Sequence, residues 1–299
     1  MSKLTISQNK VIDNLLVLGG SRPFSSTNDA VHLKEYIEKK IGNELFDWKG
    51  GKIFVTKSLL RINNGCQVSY LADLERKSDK FSIATVVGSI VHKAIQISYT
   101  HPSKSQQETV LNALKALRIS NQKFDEWYAT QEVGVQSEII ALSSSKYFSF
   151  LDDWPRLDPS WTPRFEEPIN VKFKDFTLSS RPDLILGRPH TDFKRTMLVV
   201  DFKTSQLRDE HRDESLFYAL VMTLRYGVMP WRSSVYSLSG GDWTEPDFSL
   251  EDLEMIADKT VQAVKLHASL TSGLKEPVFV PGDQCSWCVL RESCPQKIS

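Results

Sequence analysis

The chain holds 299 residues, with 37 Lys and Arg balancing 37 Asp and Glu and 40% hydrophobic residues. Those proportions give ample core for one large α/β domain with elaborations or two small domains, and no apolar run approaches the roughly 20 residues of a membrane span. Zero net charge excludes a globally basic nucleic-acid binder, so any basic surface must be local.

Residues 1–50 read as an accessory segment. Asn28 or Asp29 starts a helix through Leu33, Tyr36, Ile37 and Lys40 that Gly42 ends. Gly50-Gly51 punctuates the chain, Lys52–Val55 is a short strand, and Ser58 is the expected N-cap of a helix carrying Leu59, Leu60 and Ile62 towards Cys66. Apolar residues recur at helical spacing from Ile83 to Ser98, and further helical patterns cover 105–120 and 122–145. Trp154 to Pro168 reads as a surface loop.

The period then changes. Ile169–Phe173, Phe176–Leu186 (broken at Arg181-Pro182) and Met197–Phe202 are β-rich, and Gly187–Arg195 joins the last two as a hairpin or neighbouring pair. A helix follows with Leu216, Phe217, Leu220, Val221 and Leu224 on one face and Gly227 as its stop. A strand near Ser233–Leu238 and a helix opened by a capping box at Ser249–Asp252 complete the pattern. The expected fold class is α/β, with a small central mixed sheet covered by helices on both faces.

The strands carry charged residues in apolar company. Asp201 and Lys203 lie two apart and point the same way as Met197 and Val199. Such groups are costly to bury unless paired or bound to metal. Asp183, after Pro182 and one hairpin upstream, adds a second carboxylate, and two converging aspartates suit Mg²⁺ or Mn²⁺. The alternative is a solvated strand end with an Asp–Lys pair. His92 lies four residues after Gly88 on one helix face and is either a metal ligand or a structural histidine.

The cysteines form a second pattern: Cys66 alone, then Cys285, Cys288 and Cys294 within one loop. The start Met-Ser-Lys-Leu-Thr has no apolar signal region, so the expectation is a cytoplasmic protein, or a virus-encoded one acting in the host cytoplasm, without disulfides. Four thiolates in this grouping suit a [4Fe–4S] cluster, with tetrahedral zinc as the alternative. Either would clasp the N-terminal part of the chain to its C-terminus.

Taken in order, these features resemble the PD-(D/E)XK nuclease superfamily, in particular its RecB-like iron–sulfur branch, which includes CRISPR-adaptation nucleases, the AddB nuclease domain and exonuclease V. The resemblance rests on Ser58-Leu59-Leu60 before Cys66, on Gly88 to Val91-His92, on Ser180-Arg181-Pro182-Asp183, on Val199-Val200-Asp201-Phe202-Lys203-Thr204, on Glu214 to Tyr218, and on the closing cysteine trio. It spans about 52 to 295 and implies a restriction-endonuclease-like core over 51–299. Two positions depart from it: Glu214 stands where the family has Gln in Q-x-x-x-Y, and Gln67 replaces the proline after the first cysteine.

The resemblance implies a Mg²⁺- or Mn²⁺-dependent deoxyribonuclease, an exonuclease favouring single-stranded ends, in DNA repair, recombination, phage or CRISPR-related processing. His92, Asp183, Asp201 and the Phe202 carbonyl would bind one or two cations, Lys203 would support the attacking water, and Glu214, Tyr218 and Arg181 would contact DNA or the ligands. Glu166 or Glu167 would supply an outer carboxylate or stay on the surface. Lys172, Lys174, Arg181, Arg188, Lys194 and Arg195 form a candidate phosphate-tracking face. The implied partners are DNA with free or single-stranded ends and a helicase, recombinase or CRISPR-adaptation protein, with no membrane. The reading from another class is a non-catalytic DNA-binding or scaffold subunit that retains the fold.

Overall fold

Alternation along residues 197–202 splits the molecule into two packed layers. Met197 and Val199 join one core cluster and Leu198, Val200 and Phe202 the other, as successive strand side chains point to opposite faces. The computed structural model describes residues 3–17, 20–42, 50–76, 81–103 and 105–296. Residues 43–49 of the accessory segment lie outside the described residues.

Helix α1 (Ile6–Lys10) opens with a capping box at Thr5 and runs into a π-helical stretch, Val11–Leu16. Helix α2 (Asp29–Ile41) ends at Gly42 as its sequence implies. After β1 (Ile53–Val55), the expected Ser58-capped α-helix is instead a 3-10 segment, Lys57–Asn63, preceded by Thr56. Only two residues separate that segment from Cys66, and the Gly65 N–H closes it by donating to the Arg61 carbonyl at 2.7 Å; a stretch this short favours the tighter turn. Cys66 then stands at the N-terminal boundary of α3 (Gln67–Glu75), an element the sequence pattern missed.

Helices α4 (Ile83–Thr100) and α5 (Gln106–Ser120) match expectation. The pattern at 122–145 is two helices, α6 (Gln122–Ala129) and α7 (Val133–Asp153). Thr130 Oγ1 and Gln131 Nε2 both donate to the Trp127 carbonyl, and such local side-chain bonds compete with continued helix. Helix α7 runs eight residues past 145 because Phe150 buries against Trp154 and Phe202, and buried Tyr147 stacks on Phe150.

The strands follow as β2 (Arg164–Phe165), β3 (Ile169–Lys172), β4 (Phe176–Ser180), β5 (Leu184–Leu186) and β6 (Leu198–Lys203). Helix α8 (Glu210–Tyr226), β7 (Arg232–Ser237) and α9 (Leu250–Thr271) complete the core. The single small sheet expected from sequence is two sheets, ordered β1-β4-β3 and β2-β5-β6-β7, both mixed. Arg181-Pro182 divides β4 from β5, since proline cannot donate to a ladder. Gly187, at φ +80, turns the chain out of β5 where a side chain would strike the Thr196 carbonyl.

The π-helical stretch and α2 pack onto this core. Leu33 and Ile37 are fully buried in one cluster, and Val11, Leu15 and Leu16 in the other. Among the described residues, no helix is long and apolar enough to cross a membrane.

Candidate active site

Strand register aligns three carboxylates in a row. Strands β2 and β5 pair antiparallel with Phe165 opposite Leu184, so the next residue, Glu166, falls opposite Asp183, and the Glu166 N–H donates to the Asp183 carbonyl at 3.4 Å. Strands β5 and β6 pair with Leu184 opposite Val200, which carries Asp183 to Asp201 in the same way. Helix α4 brings in His92, whose Nδ1 lies 3.0 Å from Asp183 Oδ1. The other Asp183 oxygen accepts from the Phe202 N–H at 2.6 Å, tying the two strands together at the site.

Among the described residues, His92, Glu166 and Asp183 are the one group whose ligand atoms all lie within 4.8 Å of one another, as a metal requires. Glu166 reaches it with φ at +51, a conformation disfavoured for a residue with a side chain; such strain concentrates where a side chain must be aimed. Glu167 turns away, pairing with Arg164 at 2.7 Å and accepting from Tyr226 Oη at 3.0 Å. Of the two glutamates named from sequence, Glu166 belongs to the site.

Crowding of like charge shows in the protonation of this group. Burial and the neighbouring Asp183 push the Glu166 carboxyl up to about 7. Burial pulls the His92 imidazole down, but the Asp183 carboxylate more than offsets it and holds the ring up at about 9. Both are the expected responses of groups crowded into one buried site.

Asp201 faces a different environment. Its Oδ1 lies 2.7 Å from Lys57 Nζ and accepts from Tyr218 Oη at 2.6 Å, and its Oδ2 lies 2.8 Å from Lys203 Nζ. Buried Glu214, one helical turn before Tyr218, pairs with Lys203 at 2.9 Å, Lys57 at 3.3 Å and Arg61 at 2.8 Å. Burial pushes the Asp201 carboxyl up, but Lys57 and Lys203 together hold it well below the usual range. The same opposition brings Glu214 down to about 2. Lys203 would be lowered by burial, yet Asp201 and Glu214 raise it, so it stays an ammonium.

The structure therefore gathers His92, Asp183, Asp201, Lys203, Glu214 and Tyr218 in one place, with Asp201 turned to the lysines. Arg181 is exposed beside Glu166. Sequence reasoning missed Lys57 and Arg61, four apart on the 3-10 segment. The available signal was Glu214 itself, a buried extra carboxylate that demands a cation. The basic face is smaller than expected. Lys194 and Arg195 are half-buried against the N-terminal segment, Lys194 bridging to Phe24 and the Arg195 N–H donating to the Pro23 carbonyl. Gly88 meets no crowding, since an added Cβ would stand 3.6 Å from Thr204 Oγ1.

Cys66, Cys285, Cys288 and Cys294 line one small cavity, of about 20 Å³, with Val68, Ser69, Phe279 and Leu290 among its other walls. Cys285 lies in a 3-10 turn, Asp283–Trp287, and Cys288 directly follows it. Hydrogen bonds hold the two ends of the chain together here. Gln67 and Val278 exchange two, at 3.0 and 3.1 Å, and Cys288 Sγ donates to Ser69 Oγ at 3.4 Å.

The sequence profile of the PD-(D/E)XK nuclease superfamily matches residues 64–295, and the chain belongs to that superfamily. No curated protein matches the sequence.

Proposed function

From membership of the PD-(D/E)XK nucleases, we propose that this chain is a divalent-cation-dependent deoxyribonuclease of the RecB-like branch, acting on DNA ends. The observation that carries the reading is the row Glu166, Asp183, Asp201 with His92 on one side and Lys203 on the other. His92, Glu166 and Asp183, with Asp201 and the Phe202 carbonyl on the neighbouring strand, would hold Mg²⁺ or Mn²⁺; their oxygen and imidazole donors suit either ion, and the raised Glu166 carboxyl marks negative charge that a cation would relieve. When bound, such an ion supplies a hydroxide near neutral pH and neutralises charge on a phosphate.

The chain's own groups do the rest. Lys203, fixed between Asp201 and Glu214, places an ammonium where charge develops on a phosphoryl oxygen, and because it stays protonated it acts through charge and not as a base. Tyr218 Oη, donating to Asp201, fixes that carboxylate. Arg61, with its exposed guanidinium, extends positive charge outward for a DNA backbone.

Both Asp201→Ala and Lys203→Ala should lower cleavage of end-labelled DNA by at least ~10²-fold in Mg²⁺ and in Mn²⁺, while DNA binding persists. Lys203→Ala at wild-type rate in both ions would refute the assignment. A ladder shortening from the labelled end marks an exonuclease and internal fragments an endonuclease. The scaffold reading expects no cleavage by the wild type.

The four cysteines would hold a [4Fe–4S] cluster. Support comes from their common cavity and from the hydrogen bonds that already join α3 to the C-terminal loop. Thiolates can hold zinc as well. Iron and sulfide in anaerobically purified protein support the cluster; about one zinc per chain without iron removes it and leaves the nuclease reading intact.

A further inference from the structure

The two sheets differ in what covers them. Strands β5 and β6 are buried on both faces, with one core cluster on each side. The sheet β1-β4-β3 sends Ile53, Val55, Ile169, Phe176 and Leu178 into one cluster, beneath α8 and α9, and sends nothing into the other. Its second face is turned outward. Alternation places Phe54, Thr177, Ser179, Asn170 and Lys172 there, and Phe54, Thr177 and Lys172 share one cross-strand row.

Phe54 is 67% exposed, the most exposed aromatic ring among the described residues, and it stands in the middle of an edge strand. An apolar ring at that place is an aggregation hazard that edge strands ordinarily avoid. The charge around it has one sign. Lys52, Lys172 and Lys174 are all exposed, and among the described residues none of the three is in an ion pair. The one carboxylate in these strands and their turn is Asp175. In a chain of zero net charge, this is a local segregation of positive charge.

The outward face also adjoins the carboxylate row. Strands β1 and β4 are parallel and both run towards it, β1 into Lys57, which reaches Asp201, and β4 through exposed Arg181 to Asp183. Phe54 is three residues before Lys57, roughly 10 Å along an extended strand. A ring set among lysines and hydroxyls suits unpaired nucleotides, whose bases stack on aromatic side chains while basic groups follow the backbone. In a duplex the base faces are already stacked on one another. We infer that the outer face of the β1-β4-β3 sheet is a track for single-stranded DNA, with Phe54 stacking on a base and Lys52, Lys172 and Lys174 facing phosphates, so that the strand reaches the carboxylate row past Arg181. The inference rests on the nuclease reading above for the DNA and adds the surface that holds it.

Fluorescence anisotropy of the full chain with a labelled oligothymidylate, and with a duplex of the same length, tests this in chelator, where neither is cleaved. Phe54→Leu, which keeps apolar bulk and removes the ring, should weaken single-strand binding by at least ~5-fold and duplex binding by less than about twofold. Phe54→Trp should bind the single strand at least as tightly as the wild type. Lys172→Ala should lower the slope of log affinity against log salt by about 0.7. A Phe54→Leu protein, folded by its melting curve, that keeps wild-type affinity for the single strand would overturn the inference. So would equal losses on single strand and duplex, or a wild type that does not bind the oligonucleotide. An unchanged salt slope in Lys172→Ala would overturn it too, leaving the lysines as guards of the sheet edge. In each of these cases, cleavage that depends on Lys203 leaves the nuclease reading standing. A wild type that binds through Phe54 yet cleaves in neither Mg²⁺ nor Mn²⁺ would sink that reading and keep the binding face.

Discussion

The carboxylate site and the cysteine site are built by different means. Strand register assembles the first. Glu166, Asp183 and Asp201 meet because β2, β5 and β6 pair one residue short of them, and buried Leu184, Val199 and Val200 lock that register. The second is carried on a helix start and a short 3-10 turn, joined by a few backbone and side-chain hydrogen bonds. A site on paired strands is pre-organised by the core, whereas one on loops needs its ligand to hold it together. The two should therefore fail differently. Damage to the first costs chemistry and spares the fold; damage to the second costs the fold first.

The largest effect that sharpens this contrast is Cys66→Ala. A closed metal site contributes folding free energy on the order of 10 kcal/mol, and each kcal/mol moves the melting temperature by about 2–4 °C at this size. Losing one of four ligands forfeits part of that energy, so the melting temperature should fall by roughly 10 °C or more, with activity per folded molecule retained. An unchanged melting curve would mean that the hydrogen bonds around Gln67 and Val278 hold the chain ends without a bound group.

A smaller effect tests the strand-built site through pH. His92 is held up at about 9 and Glu166 at about 7, so both carry protons that a cation must displace. Mn²⁺ affinity measured by calorimetry should rise from pH 6 to 8 by about tenfold per unit from His92 alone, and more steeply below pH 7. A flat profile would contradict the assignment of these ligands. In chelator the sign reverses for stability. Both groups sit above their ordinary values of 4.5 and 6.5. Their stabilisation is therefore complete below those values and lost as pH rises through about 7 and about 9. The ion-free melting temperature should decline over that window.

The smallest effect concerns Gly88, one turn before His92. Its backbone is helical and an added Cβ meets only an ordinary contact. Gly88→Ala should therefore stabilise the fold by roughly 0.5–1 kcal/mol. A lowered melting temperature would show that the α4 face is more tightly packed than its contacts indicate.

The difference in construction also explains what was legible in the sequence. Period-two alternation exposed Asp201 and Lys203 as charges in an apolar strand, and Pro182 marked Asp183. Glu166 was ambiguous because β2 is only two residues long and leaves no periodic trace, so its place depends on pairing with β5. Lys57 and Arg61 were missed because their partners, Asp201 and Glu214, lie well over a hundred residues away, and only the extra carboxylate at Glu214 pointed to a cation at all. The 3-10 segment read as an α-helix because Leu59, Leu60 and Ile62 are apolar in either geometry. The break at 130–132 was hidden because polar side chains, and not Gly or Pro, end the helix there. The cysteines were legible as a set from spacing alone, and all four line one cavity.

The central claim is that His92, Glu166 and Asp183 seat the ion. Crystals of the full chain soaked in Mn²⁺, with anomalous diffraction recorded for that element, test it most directly. The account predicts a strong peak within about 2.0–2.4 Å of a His92 ring nitrogen and of oxygens from Asp183 and Glu166. A strong peak elsewhere in the site, with His92 and Glu166 both uncoordinated, would contradict it.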